Sequence, residues 1–304
     1  MKTKTVLISG ANGYIALHLA EMLKVQGYNV LTATRDLHGD IQMDFTTPPE
    51  VASLRCRGID AMIHTVSPNE KLYKTDPYRA LSENAAGIHA ALDFCRNNEI
   101  KDFIYFSSFH VFGTQSGKLT EDSPIVPRND YGLAHYVAEK TVQMFDRTNQ
   151  VNGWVIRPSN LFGVPVDCDK FKRWNLIPFL FCKEAVENHA ITLMTPGSQL
   201  RNFVGVNDVC KKVHWILEHR PDERIFHAYG NETLSVLQYA QLVKKIALET
   251  FNLPVQIIRP DGNDQVVDFE FTTQYDIPNL KPKDDLKTFV NEMLNDFLAR
   301  TRKE

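Results

Sequence analysis

Apolar residues near the start of the chain come in short blocks separated by punctuation. Val6-Leu7-Ile8-Ser9 has the length and continuity of a buried strand, and residues 17–24 repeat their apolar positions at helical spacing. Further β-rich runs follow at 28–34, 41–44, 61–65, 103–107 and 154–157, the last stopped by Pro158. Helical stretches lie between them at 49–57, 77–97 and 130–148. This alternation predicts an α/β fold built on a doubly wound parallel sheet. From about residue 167 the rhythm loosens, and helices at 177–188, 206–219, 235–251 and 286–299 are separated by Pro- and Gly-marked loops. We read a larger domain over residues 1–166, with some later segments returning to it. A smaller C-terminal α/β lobe over 167–304 caps the carboxyl ends of the strands, where open α/β sheets bind ligands.

The link between the first strand and helix, Gly10-Ala11-Asn12-Gly13-Tyr14-Ile15-Ala16, carries the first chemical signal. A strand feeding a glycine turn that opens a helix gathers unpaired backbone N–H groups and the positive end of a helix dipole at one point. A pyrophosphate fits there. Gly10 permits the tight turn, and Gly13 has no Cβ to obstruct the phosphates. A purely structural turn is the competing reading.

The second strand ends at Thr34-Arg35-Asp36. In a dinucleotide fold this tip lies beside the adenosine ribose, where a carboxylate selects NAD. Arg35 stands at the tip instead, and a guanidinium pairs with a 2′-phosphate that a carboxylate would repel. NADP is the expected cofactor, with NAD as the alternative. An arginine on a solvated turn is the bland reading.

Composition removes other classes. Hydrophobic residues make up 43% of the 304, charged residues 23%, and the net charge is -3, which leaves no electrostatic footprint for nucleic acid. No apolar run reaches the roughly 18 residues of a membrane helix, and the first strand begins too early for a signal peptide. Cys56, Cys95, Cys168, Cys182 and Cys210 are irregularly spaced, which suits reduced thiols in a cytoplasmic protein and offers no metal site.

Several ordered motifs together resemble the extended short-chain dehydrogenase/reductase family in its nucleotide-sugar-modifying branch, the NAD-dependent epimerase/dehydratases. Gly10, Gly13 and Ala16 match its glycine turn, and Asn84-Ala85-Ala86-Gly87 matches its Asn-x-x-Gly helix. Residues 107–113, Ser-Ser-Phe-His-Val-Phe-Gly, resemble its serine-rich strand end, and residues 157–163, Arg-Pro-Ser-Asn-Leu-Phe-Gly, its Arg-Pro-x-Asn segment. Leu200-Arg201-Asn202-Phe203 through Asp208-Val209 resembles its Arg-Asp-Phe-x-x-Val-x-Asp-Val stretch. The resemblance implies a Rossmann-type, dinucleotide-binding first domain. Its implied cofactor contacts are Gly10, Asn12, Gly13, Tyr14, Ile15, Arg35, Asp44, Phe45, Thr65, Val66, Ser67, Asn84, Tyr131, His135 and Pro158. It implies substrate contacts at Ser108, Phe109, His110, Asn160 and Arg201, a nucleotide-sugar substrate, and a homodimer formed by the helices at 77–97 and 130–148.

The family reaction moves a hydride between a nicotinamide and a carbinol carbon. A tyrosine handles the proton, a Ser or Thr hydroxyl holds the same oxygen, and a lysine four residues after the tyrosine lowers its pKa. Tyr131-Gly132-Leu133-Ala134-His135 matches this pattern with Ser108 as the hydroxyl, but His135 stands where the lysine belongs. A neutral imidazole keeps a hydrogen bond to the cofactor ribose, and only a charged one partly replaces the ammonium. Tyr136 and Lys140 also read Tyr-x-x-x-Lys, yet five residues turn that pair about 140° round the helix, so we expect Tyr136 to pack and Lys140 to be solvated. His110 occupies the place of an acid/base cysteine in the fucose-synthase type, with packing against its aromatic neighbours as the competing role. Dehydration is disfavoured, because Phe109 and His110 fill the places of the dehydratases' acidic pair. The expected activity is reduction of a nucleotide-linked keto-sugar with NADPH. The alternatives are an epimerase holding its nicotinamide tightly and a catalytically impaired dinucleotide-binding scaffold.

Overall fold

A computed structural model describes residues 3–262 and 267–301. In chain order the first elements are β1 (Thr5–Ser9), α1 (Tyr14–Val25), β2 (Asn29–Thr34), β3 (Ile41–Gln42), α2 (Pro48–Ser53), β4 (Ala61–His64), α3 (Glu70–Thr75), α4 (Pro77–Asn97) and β5 (Asp102–Phe106). A 3-10 turn (Phe109–Phe112), β6 (Gly117–Leu119), α5 (Asp130–Arg147), β7 (Asn152–Pro158), β8 (Asn160–Phe162), α6 (Ile177–Glu187) and β9 (Ala190–Thr192) follow. The chain continues through β10 (Leu200–Gly205), α7 (Val206–His219), β11 (Ile225–Ala228), β12 (Glu232–Ser235), α8 (Val236–Phe251), β13 (Gln256–Ile258), β14 (Phe269–Phe271) and α9 (Leu286–Thr301).

Two compact units result. The first comprises residues 1–114, 121–158 and 210–227, and the second 115–120, 159–209 and 228–304.

The first unit is organised by a seven-stranded parallel sheet in the order β11-β7-β5-β4-β1-β2-β3. Val6, Leu7 and Ile8 of β1 are almost wholly buried, as are Met62 and Ile63 of β4, which accounts for the continuous apolar runs. The order reverses between β1 and β4: the chain steps outward through β2 and β3, then returns to the far side of β1. That crevice is the switch point at which open α/β sheets receive ligands, and Ser9 pairs with His64 at its floor.

The two long helices on this unit follow from local chemistry. In α4 the Asp76 carboxylate accepts from the Arg79 N–H at 3.1 Å and Pro77 sits at the first helical position. Ala80, Asn84, Gly87, Ile88, Ala91 and Cys95 then form its buried face. In α5 the Asn129 side chain caps the helix through the Gly132 N–H at 2.8 Å.

The second unit contains the sheet β12-β10-β8, with β10 antiparallel to β12 and parallel to β8, and two parallel pairs, β13–β9 and β14–β6. Ser235 and Gln238 form a capping box that starts α8. Sequence periodicity located the four helices of this unit's sequence range but none of these strands, because runs of three to six residues show too little alternation. Helix α1 also begins three residues earlier than its apolar repeat, at Tyr14, directly after the Gly13 cap.

Candidate active site

The glycine turn lies at the switch point. Gly10 has φ +74°, and its N–H donates to Ala33 O at 3.0 Å. A Cβ there would sit 2.8 Å from Thr65 Oγ1 and 3.0 Å from Val66 Cγ2, so glycine is required both for conformation and for approach to the next strand end. Asn12 and Gly13 are exposed, Tyr14 and Ile15 half-buried, and α1 starts without a side-chain cap. The positive end of its helix dipole therefore lies at this turn.

At the tip of β2, the Arg35 guanidinium is exposed and makes no ion pair or hydrogen bond among the described residues. Asp36 folds into a local turn. Its carboxylate accepts from Thr34 Oγ1 at 2.9 Å and from the His38 N–H at 3.2 Å, and these bonds hold its pKa below the usual value. Asp40 is similarly tied to Thr32, through its N–H and hydroxyl, at 2.8 Å each. An arginine without a carboxylate partner therefore remains just past the tip of β2.

Other expected cofactor residues are structural joints as well. Asp44 accepts from the Thr46 N–H and hydroxyl, and Phe45 is buried edge-on against His64. Asn84 is 5% exposed; its amide donates to Ala134 O at 2.9 Å and accepts from Ser67 Oγ at 3.3 Å. It thus links α4, α5 and the end of β4. Pro158 closes β7 in a buried position.

The expected reacting groups gather around Tyr131. Ser108 follows β5 and caps the 3-10 turn, its Oγ accepting from the His110 N–H at 3.3 Å. A Cβ on Gly132 would meet His110 O at 2.4 Å, so this glycine lets α5 close on the turn. The Tyr131 ring is held edge-on by Tyr73 and His110, each with centroids 5.6 Å away, and by His135 at 4.5 Å. His135 is 2% exposed, and its Nδ1 lies 2.7 Å from the Tyr105 hydroxyl. Burial, assisted by repulsion from His110, pushes its pKa down to about 3. The imidazole is neutral at physiological pH and supplies no ammonium. Lys140 is exposed, with its Nζ 5.1 Å over the Tyr136 ring and 3.1 Å from Gln143 Oε1.

Three features had no counterpart in the sequence reading. Tyr105 is one. A second is the buried pair beneath the 3-10 turn: Arg157 Nε and Nη2 donate to the two oxygens of Glu139 at 2.8 and 2.7 Å. Ser107 Oγ donates to Glu139 at 2.6 Å, and Arg157 Nη1 to Glu121 O at 3.2 Å. The signal was available, since Arg157 interrupts an otherwise apolar strand. The third is His64, buried with Nδ1 2.8 Å from Ser9 Oγ and a pKa pushed down to about 3 by desolvation.

These two histidines make stability sensitive to acid. Their folded pKa values lie below the ordinary 6.5, so between about pH 6.5 and 3 the unfolded chain binds more protons. Stability then falls as pH falls, by about 2 kcal/mol per histidine between pH 7 and 5. Urea unfolding at the two pH values measures the change, and His64→Asn or His135→Asn should each flatten it.

The second unit carries the expected phosphate-binding residues on neighbouring strands, since Asn160 of β8 pairs with Phe203 of β10, two residues after Arg201. Asn160 Nδ2 donates to Asn202 O at 2.9 Å. Arg201 is half-buried, donates to Leu200 O at 3.1 Å and meets no carboxylate among the described residues. Burial lowers its pKa, as expected of a cation without a counter-ion. Asn202, where the family motif has Asp, is fully used: it accepts from Ser159 Oγ and Gly230 N and donates to Gly230 O. Among the described residues no cluster of His, Cys, Asp and Glu could hold a metal ion, and no helix is long and apolar enough to cross a membrane.

A glycine turn at the switch point of a parallel sheet, with a serine after β5 and a tyrosine in the first turn of α5, defines a Rossmann-type enzyme that uses a nicotinamide dinucleotide. More specifically, the chain belongs to the NAD dependent epimerase/dehydratase family, whose profile matches residues 6–229. An uncharacterized UDP-glucose epimerase of Bacillus subtilis is 24% identical over 275 residues, covering 80% of this chain and 82% of that one. A dTDP-4-dehydro-6-deoxy-D-allose reductase of Streptomyces bikiniensis is 24% identical over 323 residues, covering 98% of each chain. The solved structure of RMD from Pseudomonas aeruginosa complexed with NADPH shares the fold, with TM-score 0.79, 20% identity and 98% of each chain covered.

Proposed function

We propose that the protein is an NADP-dependent reductase of a nucleotide-linked keto-sugar. The observation that carries this reading is the neutral, buried imidazole of His135 beside Tyr131. An ammonium at that place stabilises phenolate, the form that an epimerase needs to begin by oxidising a hydroxyl. Without it, nothing at that place favours phenolate, and Tyr131 serves as an acid, which is what carbonyl reduction requires. The reduced nicotinamide supplies the hydride. Tyr131 donates a proton to the substrate oxygen, Ser108 hydrogen-bonds the same oxygen, and the unpaired Arg201 and Asn160 hold the diphosphate.

The cofactor choice rests on Arg35, and the turn made by Asp36 with Thr34 and His38 clears the adjacent carboxylate from the site. Relatives named as a reductase and a neighbour solved with NADPH agree with this reading. A homodimer through α4 and α5 belongs to the same proposal: Leu133, Val137 and Met144 leave an apolar row exposed along α5.

The test is consumption of NADPH and NADH with nucleoside-diphosphate 4-keto-sugars by protein purified without added cofactor. NADPH should be preferred and no nicotinamide should be retained through purification. Arg35→Ser should weaken NADPH binding about ten- to a hundredfold and leave NADH unaffected. Retained cofactor with redox-neutral interconversion of sugar epimers would establish the epimerase instead.

A further inference from the structure

The lysine of the family pattern performs two tasks that chemistry can separate, donating a hydrogen bond and carrying a charge. In this chain the second is lost, because His135 is neutral. Whether the first survives depends on which ring nitrogen bears the single proton, and the surroundings of Tyr105 decide that.

Tyr105 is 1% exposed on β5; its hydroxyl lies 2.7 Å from His135 Nδ1, and the Asn84 side chain donates a hydrogen bond to the same oxygen. A phenol hydroxyl has one proton to give. If Nδ1 carried the imidazole proton, the Tyr105 proton would be buried without an acceptor, at the cost of an unmade bond. If Tyr105 donates to Nδ1, the imidazole proton resides on Nε2 and one buried group is left unmet instead of two. Burial raises the Tyr105 pKa well above its ordinary value, so that donor proton is always present. His135 Nε2 is itself buried and has no hydrogen-bond partner among the described residues. The groups around the pair do not offer one: the Glu139 carboxylate, one turn along α5, is taken by Ser107 and Arg157, and the Tyr131, Tyr73 and His110 rings pack edge-on around the site. A buried N–H left open in this way is poised for an acceptor brought from outside.

We propose that Tyr105 is a positioning residue that locks His135 in its Nε2–H tautomer, so that the imidazole offers a bound dinucleotide a hydrogen-bond donor and no charge. The acceptor is a hydroxyl oxygen of the dinucleotide, which rests on the function proposed above. The tautomer itself does not rest on it.

Nitrogen NMR of cofactor-free protein labelled with 15N-histidine reads the tautomer directly. The expected spectrum shows His135 protonated at Nε2 and bare at Nδ1 near neutral pH, with the Nε2–H resonance moving when NADPH is added. Tyr105→Phe should mix the two tautomers and weaken NADPH binding about five- to tenfold. In a His135→Phe background the same change should cost less than about twofold, since its effect passes through the imidazole. A proton on Nδ1 in the parent protein overturns the proposal, as does an equal loss of affinity with and without His135. Should Tyr105→Phe fail to fold, the parent spectrum and its response to NADPH decide alone. If no dinucleotide binds at all, the functional reading fails, while the free-protein spectrum still judges the tautomer.

Discussion

Tyr131→Phe is expected to bind NADPH like the parent and to turn over about 10²- to 10⁴-fold more slowly, the usual worth of a positioned proton donor. The ring is held edge-on by Tyr73, His110 and His135, so removal of one oxygen leaves that packing in place. Single-turnover decay of reduced-nicotinamide absorbance measures the effect, and a parent-like rate would remove Tyr131 from the reaction. The His135→Lys variant probes the same group from the other side. A lysine ammonium would favour phenolate, so the alkaline limb of the reduction rate should move to lower pH. An unmoved limb would mean that the proton comes from elsewhere.

Arg157→Met is expected to destabilise the fold by about 3–5 kcal/mol, because it strands the Glu139 carboxylate in the interior. Both side chains are at most 1% exposed, and the guanidinium also lies 5.2 Å over the Phe112 ring. Ser107 alone would then face the buried charge. Pairing the change with Glu139→Leu should recover much of the loss, since well-packed apolar groups often replace a buried ion pair without penalty. Urea unfolding of the three variants checks this. A single variant within 1 kcal/mol or so of the parent would show that the pair is not held as tightly as its geometry indicates. The effect should also reach the site, because Ser107 and Phe112 flank the turn that carries Ser108 and His110.

The glycine turn, the alternating strands and helices and the long α4 and α5 were legible because each rests on local rules: apolar period, caps and turn glycines. Family membership was legible through motifs whose residues lie within a few positions of one another. The bond between Tyr105 and His135 was not legible, since β5 and α5 are separated by the 3-10 turn, β6 and the loops joining them, and a tyrosine in an apolar strand looks like core. Asn84, an expected cofactor contact, is also a buried joint between α4, α5 and the end of β4, a role that only side-chain geometry reveals. The short strands β8, β10 and β12 escaped for a different reason. Their pairing energy comes from partners distant in sequence, and their own pattern is too brief to announce them.

By itself the sequence determined the class of fold, the place of the glycine turn, the arginine at the tip of β2 and the histidine standing where a lysine belongs. These depend on residue identity and short spacing, which are written along the chain. Tertiary structure alone decided that this histidine is buried and uncharged, and that a buried arginine–glutamate pair supports the turn bearing Ser108. Charge state and orientation depend on burial and on partners brought from far along the chain, and linear order does not encode dielectric surroundings.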